Sequence, residues 1–101
     1  MASISRRSSA LNQLTIKVVG RFDFSLHEEF QNTYYGHVAV GTRVAIDLEK
    51  VEYMDSSALG MLLLLREYVG EDNADIRLIH ASSEIRNILQ VSNFDQLFKI
   101  E

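Results

Sequence analysis

The sequence predicts an α/β domain with a central mixed or mainly parallel sheet and helices mainly on one face. Three observations carry this. Segments with a two-residue apolar period alternate along the chain with segments of helical period. The connections between strand segments leave room for the crossovers that parallel pairing needs. The strand segments also carry Thr15, Lys17, Arg43, Asp47, Arg77 and Lys99, and buried charges need partners, so one sheet face is expected to lack a helical layer.

Each element follows from local pattern. Residues 1–12, with the polar start "MASISRRSS", are expected to be a flexible N-terminal segment or a first edge strand, and residues 13–101 the folded domain. "LTIKVVG" alternates Leu14, Ile16 and Val18 with Thr15, Lys17 and Val19, which reads as a strand, and Gly20 suits a turn. In "SLHEEFQNTYY" the spacing of Leu26, Phe30 and Tyr34 predicts a helix ending near Gly36, with Ser25 and Glu28 as a capping box. "RVAIDLEKVEYM" restores the two-residue period through Val44, Ile46 and Leu48 and reads as another strand, followed by a short connection containing Glu49, Lys50 and Glu52.

From about Ser57 to Val69 the period is helical, with Ala58, Met61, Leu62, Leu65 and Val69 on the core face and Gly70 as the stop. "IRLI" reads as a short strand. "SSEIRNILQV" reads as a third helix capped by Ser82 or Ser83, with Ile85, Ile88 and Leu89 inward, and "LFKI" as a last strand.

The 101 residues are 47% hydrophobic, enough for one modest core. No cysteine is present and the three histidines are scattered, so neither a disulfide framework nor a metal cluster is expected, and no cofactor. A net charge of -4 argues against direct binding of nucleic acid. Without a signal-like or membrane-spanning apolar run, a cytoplasmic location is expected.

The chemistry concentrates in "MDSSALG", Met54 to Gly60. Asp55, Ser56 and Ser57 stand where a strand feeds the central helix, and first-turn amides favour negative charge there. With Ser56 or Ser57 as cap, the residue three positions on is Leu59 or Gly60, so no reciprocal carboxylate fills the turn and some amides would stay open to an anion. A phosphate on one of these serines would add charge beside Asp55. The plain alternative is structural, since Asp and Ser are common helix caps.

Taken together, "VVGRFD" at 18–23, "VAIDLEKVEYMDSSALGMLLLL" at 44–65, "IRLI" and "NFDQLFKI" resemble the STAS domain family, especially the bacterial anti-sigma factor antagonists. The likeness runs from about Leu14 to Ile100. It implies a layered STAS fold, phosphorylation at Ser57 rather than Ser56, and no catalysis by the chain itself. It also implies two partners, a serine protein kinase that doubles as an anti-sigma factor and a serine phosphatase. Ala58 stands where glycine is more usual in the family.

The expected partner surface comprises Asp23, Asp55, Ser56, Ser57, Ala58 and Leu59, with Leu63 and Leu64 on the side of the central helix away from its core stripe. An uncovered sheet edge or leucine patch leaves a homo-oligomer open. The alternative reading is a STAS adaptor in transport or membrane-associated machinery that does not use phosphorylation. A hydrolase built on Ser57 would need His27, His37 or His80 brought within its reach.

Overall fold

The computed structural model describes residues 2–10 and 12–101. Five strands, β1 (Ser3–Ala10), β2 (Gln13–Phe22), β3 (Arg43–Met54), β4 (Asp75–Ile79) and β5 (Lys99–Ile100), form one sheet in the order β1-β2-β3-β4-β5. β1 runs antiparallel to β2, and every other neighbouring pair is parallel. Helices α1 (His27–Tyr34), α2 (Ser56–Tyr68) and α3 (Ser83–Val91) occupy the crossovers and lie largely on one face. The layered, mixed sheet expected from the sequence is therefore present. No helix among the described residues is long and apolar enough to cross a membrane.

The alternating strand pattern sets which face is buried. Leu14, Ile16, Val18 and Phe22 of β2, Val44, Ile46 and Leu48 of β3, and Ile76 and Leu78 of β4 point into one core. There they meet Phe30 and Tyr34 of α1, Ala58, Met61, Leu62 and Leu65 of α2, and Ile85 and Leu89 of α3. The alternate residues, among them Thr15, Lys17, Ala45, Asp47 and Arg77, face away from this core and keep part of their surface in solvent. β1 joins the helical layer through Arg6, whose Nε donates to the Thr33 carbonyl of α1 at 3.0 Å.

Three local readings are corrected. β3 does not stop at Leu48. It continues to Met54 because two extra residues are absorbed by register shifts against β2, between Lys17 and Val19 and between Gly20 and Arg21. Val51 and Met54 are thereby returned to the core. The capping box at Ser25 is not formed either. Asp23 caps a short 3-10 turn, Phe24–Leu26, by accepting from the Ser25 amide, and α1 starts only at His27. In "LFKI", Leu97 and Phe98 follow a 3-10 turn at Phe94–Gln96, and only Lys99–Ile100 pair with β4. Other signals read correctly: Gly36 and Gly70 follow their helices at φ +77° and +121°, and Ser82 caps α3 by accepting from the Ile85 amide at 3.3 Å.

Leu62 is fully buried while its neighbour Leu63 is 40% exposed, so the two test the core face of α2 directly. Leu62→Ala is expected to destabilise the fold by about 2–5 kcal/mol. Leu63→Ala should cost about 0.5 kcal/mol or less. Urea unfolding of the two variants beside the wild type measures both.

Candidate functional site

The C-terminal ends of β2 and β3 create the site. Phe22 and Met54, the last residues of these strands, are paired in register and both buried. The next residue of each strand is an aspartate, so Asp23 and Asp55 emerge side by side at the same edge of the sheet. Each then folds back on its own chain in the same way. Asp55 Oδ1 accepts from the Ser57 amide at 3.0 Å, the Ala58 amide at 3.2 Å and the Ser57 hydroxyl at 2.5 Å. Asp23 Oδ1 accepts from the Ser25 amide at 3.0 Å and the Ser25 hydroxyl at 2.5 Å.

Asp55 is thus the N-cap of α2, a role the sequence reading had offered to Ser56 or Ser57. The reason is reach. From an extended backbone at φ -124° one carboxylate oxygen spans two successive amides, which neither following serine, already in the helix, is placed to do. The Leu59 amide bonds the Asp55 carbonyl. The first-turn amides of Ser57 and Ala58 are therefore engaged by Asp55 rather than open to an anion, a correction to the expected availability of that turn.

The electrostatics follow from these contacts. The Ser57 hydroxyl first, and the Ala58 and Ser57 amides with it, hold the Asp55 carboxyl below its usual range, while partial burial and the neighbouring Asp23 charge oppose that shift. Asp23 is likewise lowered, chiefly by the Ser25 hydroxyl and amide and also by Arg21, whose Nε lies 3.5 Å away. Arg21 in turn sits 3.9 Å over the Tyr53 ring.

The expected partner-surface residues separate. Ser56 is exposed, and Asp23, Asp55, Ser57 and Leu59 keep part of their surface in solvent. Leu63 and Leu64 are 40% and 48% exposed on the outer side of α2. Leu64 lines a cleft of about 420 Å³ with Gln31, Tyr34, Tyr35, Glu67 and Tyr68, between α1 and α2. Ala58 is corrected: at 0% exposure its methyl group belongs to the core and presents no side-chain surface to a partner. Two of the three histidines are engaged elsewhere, His80 Nδ1 3.2 Å from Asp47 Oδ1 and His27 stacked on Phe24 at 4.8 Å. The sequence reading missed Ser25 as the counterpart of Ser57, although the repeated spacing of aspartate and serine at 23/25 and 55/57 signals it.

A five-stranded sheet with one helical layer, and a capped serine at the start of its central helix, define a STAS-type domain. The family model of the Mlab STAS domain matches residues 5–100, and the chain belongs to the STAS domain family. Over 100 residues it is 48% identical to a STAS-domain containing protein of Pseudomonas aeruginosa (strain UCBPP-PA14), covering 99% of each chain. The fold is also that of solved anti-sigma factor antagonists. The unphosphorylated form of SpoIIAA superposes with a TM-score of 0.74 at 17% identity, over 98% of this chain and 87% of that one. The phosphorylated form of the Bacillus cell fate determinant SpoIIAA gives 0.69 at 17% identity, over 98% and 91%.

The cap has a pH signature. Because the Asp55 pKa is lower folded than unfolded, the unfolded chain takes up its proton first as pH falls. The stability that Asp55 contributes is complete above the unfolded value of about 4 and is lost as pH drops through the depressed folded value. Asp55→Ala is expected to lower Tm by about 4–8 °C at neutral pH. Thermal melts of both proteins from neutral pH down to pH ~2 should converge at the acid end; a gap that stays constant with pH would exclude the carboxylate as the cause.

Proposed function

We propose that the protein is an anti-sigma factor antagonist whose binding to a serine-kinase anti-sigma factor is switched off by phosphorylation of Ser57. The observation that carries this reading is the 2.5 Å contact between the Ser57 hydroxyl and Asp55 Oδ1. An unmodified hydroxyl donates its proton and closes the cap of α2. A phosphoserine has no such proton and brings close to two negative charges against a carboxylate whose neighbour, Asp23, is also negative. Cap and phosphate then compete for the amides of Ser57 and Ala58, and the surface that a partner meets changes in both charge and shape.

In this reading the kinase supplies the ATP site and the base. The Ser57 oxygen attacks the γ-phosphorus, the bond from that phosphorus to the ADP oxygen breaks, and the hydroxyl proton leaves to the kinase. The chain itself acts as substrate and ligand. Asp55, held below the ordinary carboxylate range, is a weak proton acceptor and suits positioning better than catalysis. Ser56, Leu59, Leu63 and Leu64 supply the adjoining contact surface on α2, with Asp23 at its edge. A serine phosphatase returns the hydroxyl and with it the cap.

Incubation with the host's serine-kinase anti-sigma factors and ATP, followed by peptide mass spectrometry, tests the assignment. Phosphate is expected on wild type and Ser56→Ala and absent from Ser57→Ala. Phosphorylated wild type should bind the kinase at least about tenfold more weakly than the unmodified chain, the loss of about one charge-assisted hydrogen bond. Modification persisting in Ser57→Ala would overturn the site. Equal affinity of both forms would overturn the switch.

A further inference from the structure

The sheet face opposite the helices carries a second constellation. Strand register places Arg7 of β1, Thr15 of β2, Ala45 of β3, Arg77 of β4 and Lys99 of β5 in one row across the entire sheet. Lys17 stands two residues beyond Thr15 on the same face, and Arg43 two residues before Ala45. Thr15 and Ala45 therefore form a low floor bounded on its sides by Arg7, Lys17, Arg43 and Arg77. Two hollows open on it. One of about 180 Å³ includes Arg43 and Arg77 in its wall, the other of about 250 Å³ includes Arg6, Arg7 and Lys17 together with the carboxylate of Asp47, and Thr15 lines both.

Charge is segregated onto this face. Arg7, Lys17, Arg43, Arg77 and Lys99 are half of the ten Lys and Arg residues, and they stand with only three of the fourteen carboxylates, Asp47, Asp75 and Glu101. Asp75 is shared by three cations, lying 3.6 Å from Arg43, 3.7 Å from Arg77 and 3.3 Å from Lys99. Arg77 also reaches Glu101 at 3.6 Å, and Asp47 faces His80. The five cations against Asp47, Asp75 and Glu101 leave a formal surplus of two positive charges, carried on partly exposed side chains. The chain as a whole is negative, so this positive field is local to the trough.

We propose that the trough binds an extended acidic segment of a partner protein, with carboxylates at alternate positions. Arg7 and Arg77 are three strand spacings apart, about 14 Å between their Cα atoms. An extended chain rises about 3.3 Å per residue, so acidic side chains at i, i+2 and i+4 on one side span nearly that distance. Short carboxylate arms fit a recessed floor rimmed by long cations, and guanidinium groups bind carboxylates with two parallel hydrogen bonds. The floor residues Thr15 and Ala45 have no ring on which a base could stack, and a planar lipid surface would meet only the tips of the rim. This site does not depend on the Ser57 reading.

Amide-resolved NMR titration of the full chain at low salt, with a capped Glu-Ser-Glu-Ser-Glu peptide, tests the proposal. Shifts are expected at Thr15, Ala45 and Arg77, weakening as salt is raised. Arg43→Gln/Arg77→Gln, and separately Arg7→Gln/Lys17→Gln for the other hollow, should each raise Kd at least about tenfold. Arg86→Gln on α3 should leave it unchanged, and circular dichroism checks that each variant is folded. Three outcomes overturn the proposal: no shifts on this face, undiminished affinity in both double variants when folded, or tighter binding of an oligothymidylate of equal charge or of phosphatidylglycerol vesicles.

Discussion

The parallel pairing of β2 with β3 is the constraint from which the site follows. Parallel strands send their chain out at the same edge, and the crossover helices must begin there. Pairing Phe22 with Met54 fixes the level at which both chains leave the sheet, and burying both side chains fixes the direction. Two carboxylates, Asp23 and Asp55, are consequently held next to each other, although like charges repel. Each is made tolerable by donors from its own following turn, which lower both pKa values, while the Asp23 charge opposes the shift at Asp55. The edge is thus polarised by the fold itself.

This arrangement gives the serine at the start of α2 a structural part. Ser57 closes the cap through its hydroxyl, so its chemistry is coupled to the helix that carries Leu59, Leu63 and Leu64. Ala58, one residue on, is in the core. Displacing the first turn therefore works against a packed methyl group as well as two amide hydrogen bonds.

The fold was legible where burial is one-sided and the period uninterrupted. β2 as far as Val19, the first half of β3, β4 and the core stripe of α2 all obey this, and the charged alternate positions correctly marked the uncovered face, whereas Gly20, expected at a turn, carries β2 on to Phe22 at φ +87°. The second half of β3 was not legible because its register shifts change the spacing of buried residues from two to three, at Leu48, Val51 and Met54. α1 was started too early because a serine followed by Glu28 satisfies a capping pattern, whereas Asp23, two residues upstream, already holds the Ser25 amide. Within the site, Asp55 and Ser57 stood out by motif and family likeness. Their pairing with Asp23 and Ser25 is a product of strand register, which no local window contains.

The two polar regions of the molecule lie at opposite ends of the same strands. From Lys17, the trough cation nearest the site along β2, to Phe22 is five residues, roughly 17 Å of strand. That distance exceeds the screening length of about 8–10 Å in physiological salt, so charge added at Ser57 is strongly screened at the trough. Direct charge repulsion at Ser57 therefore belongs to the loop edge and the start of α2. The surplus cations of β1 to β5 face away from the helices, on a floor whose geometry is set by strand pairing. A partner that occupied both regions would have to run over the open sheet face along β2 and β3, and its two contacts would respond to phosphate and to salt as separate variables.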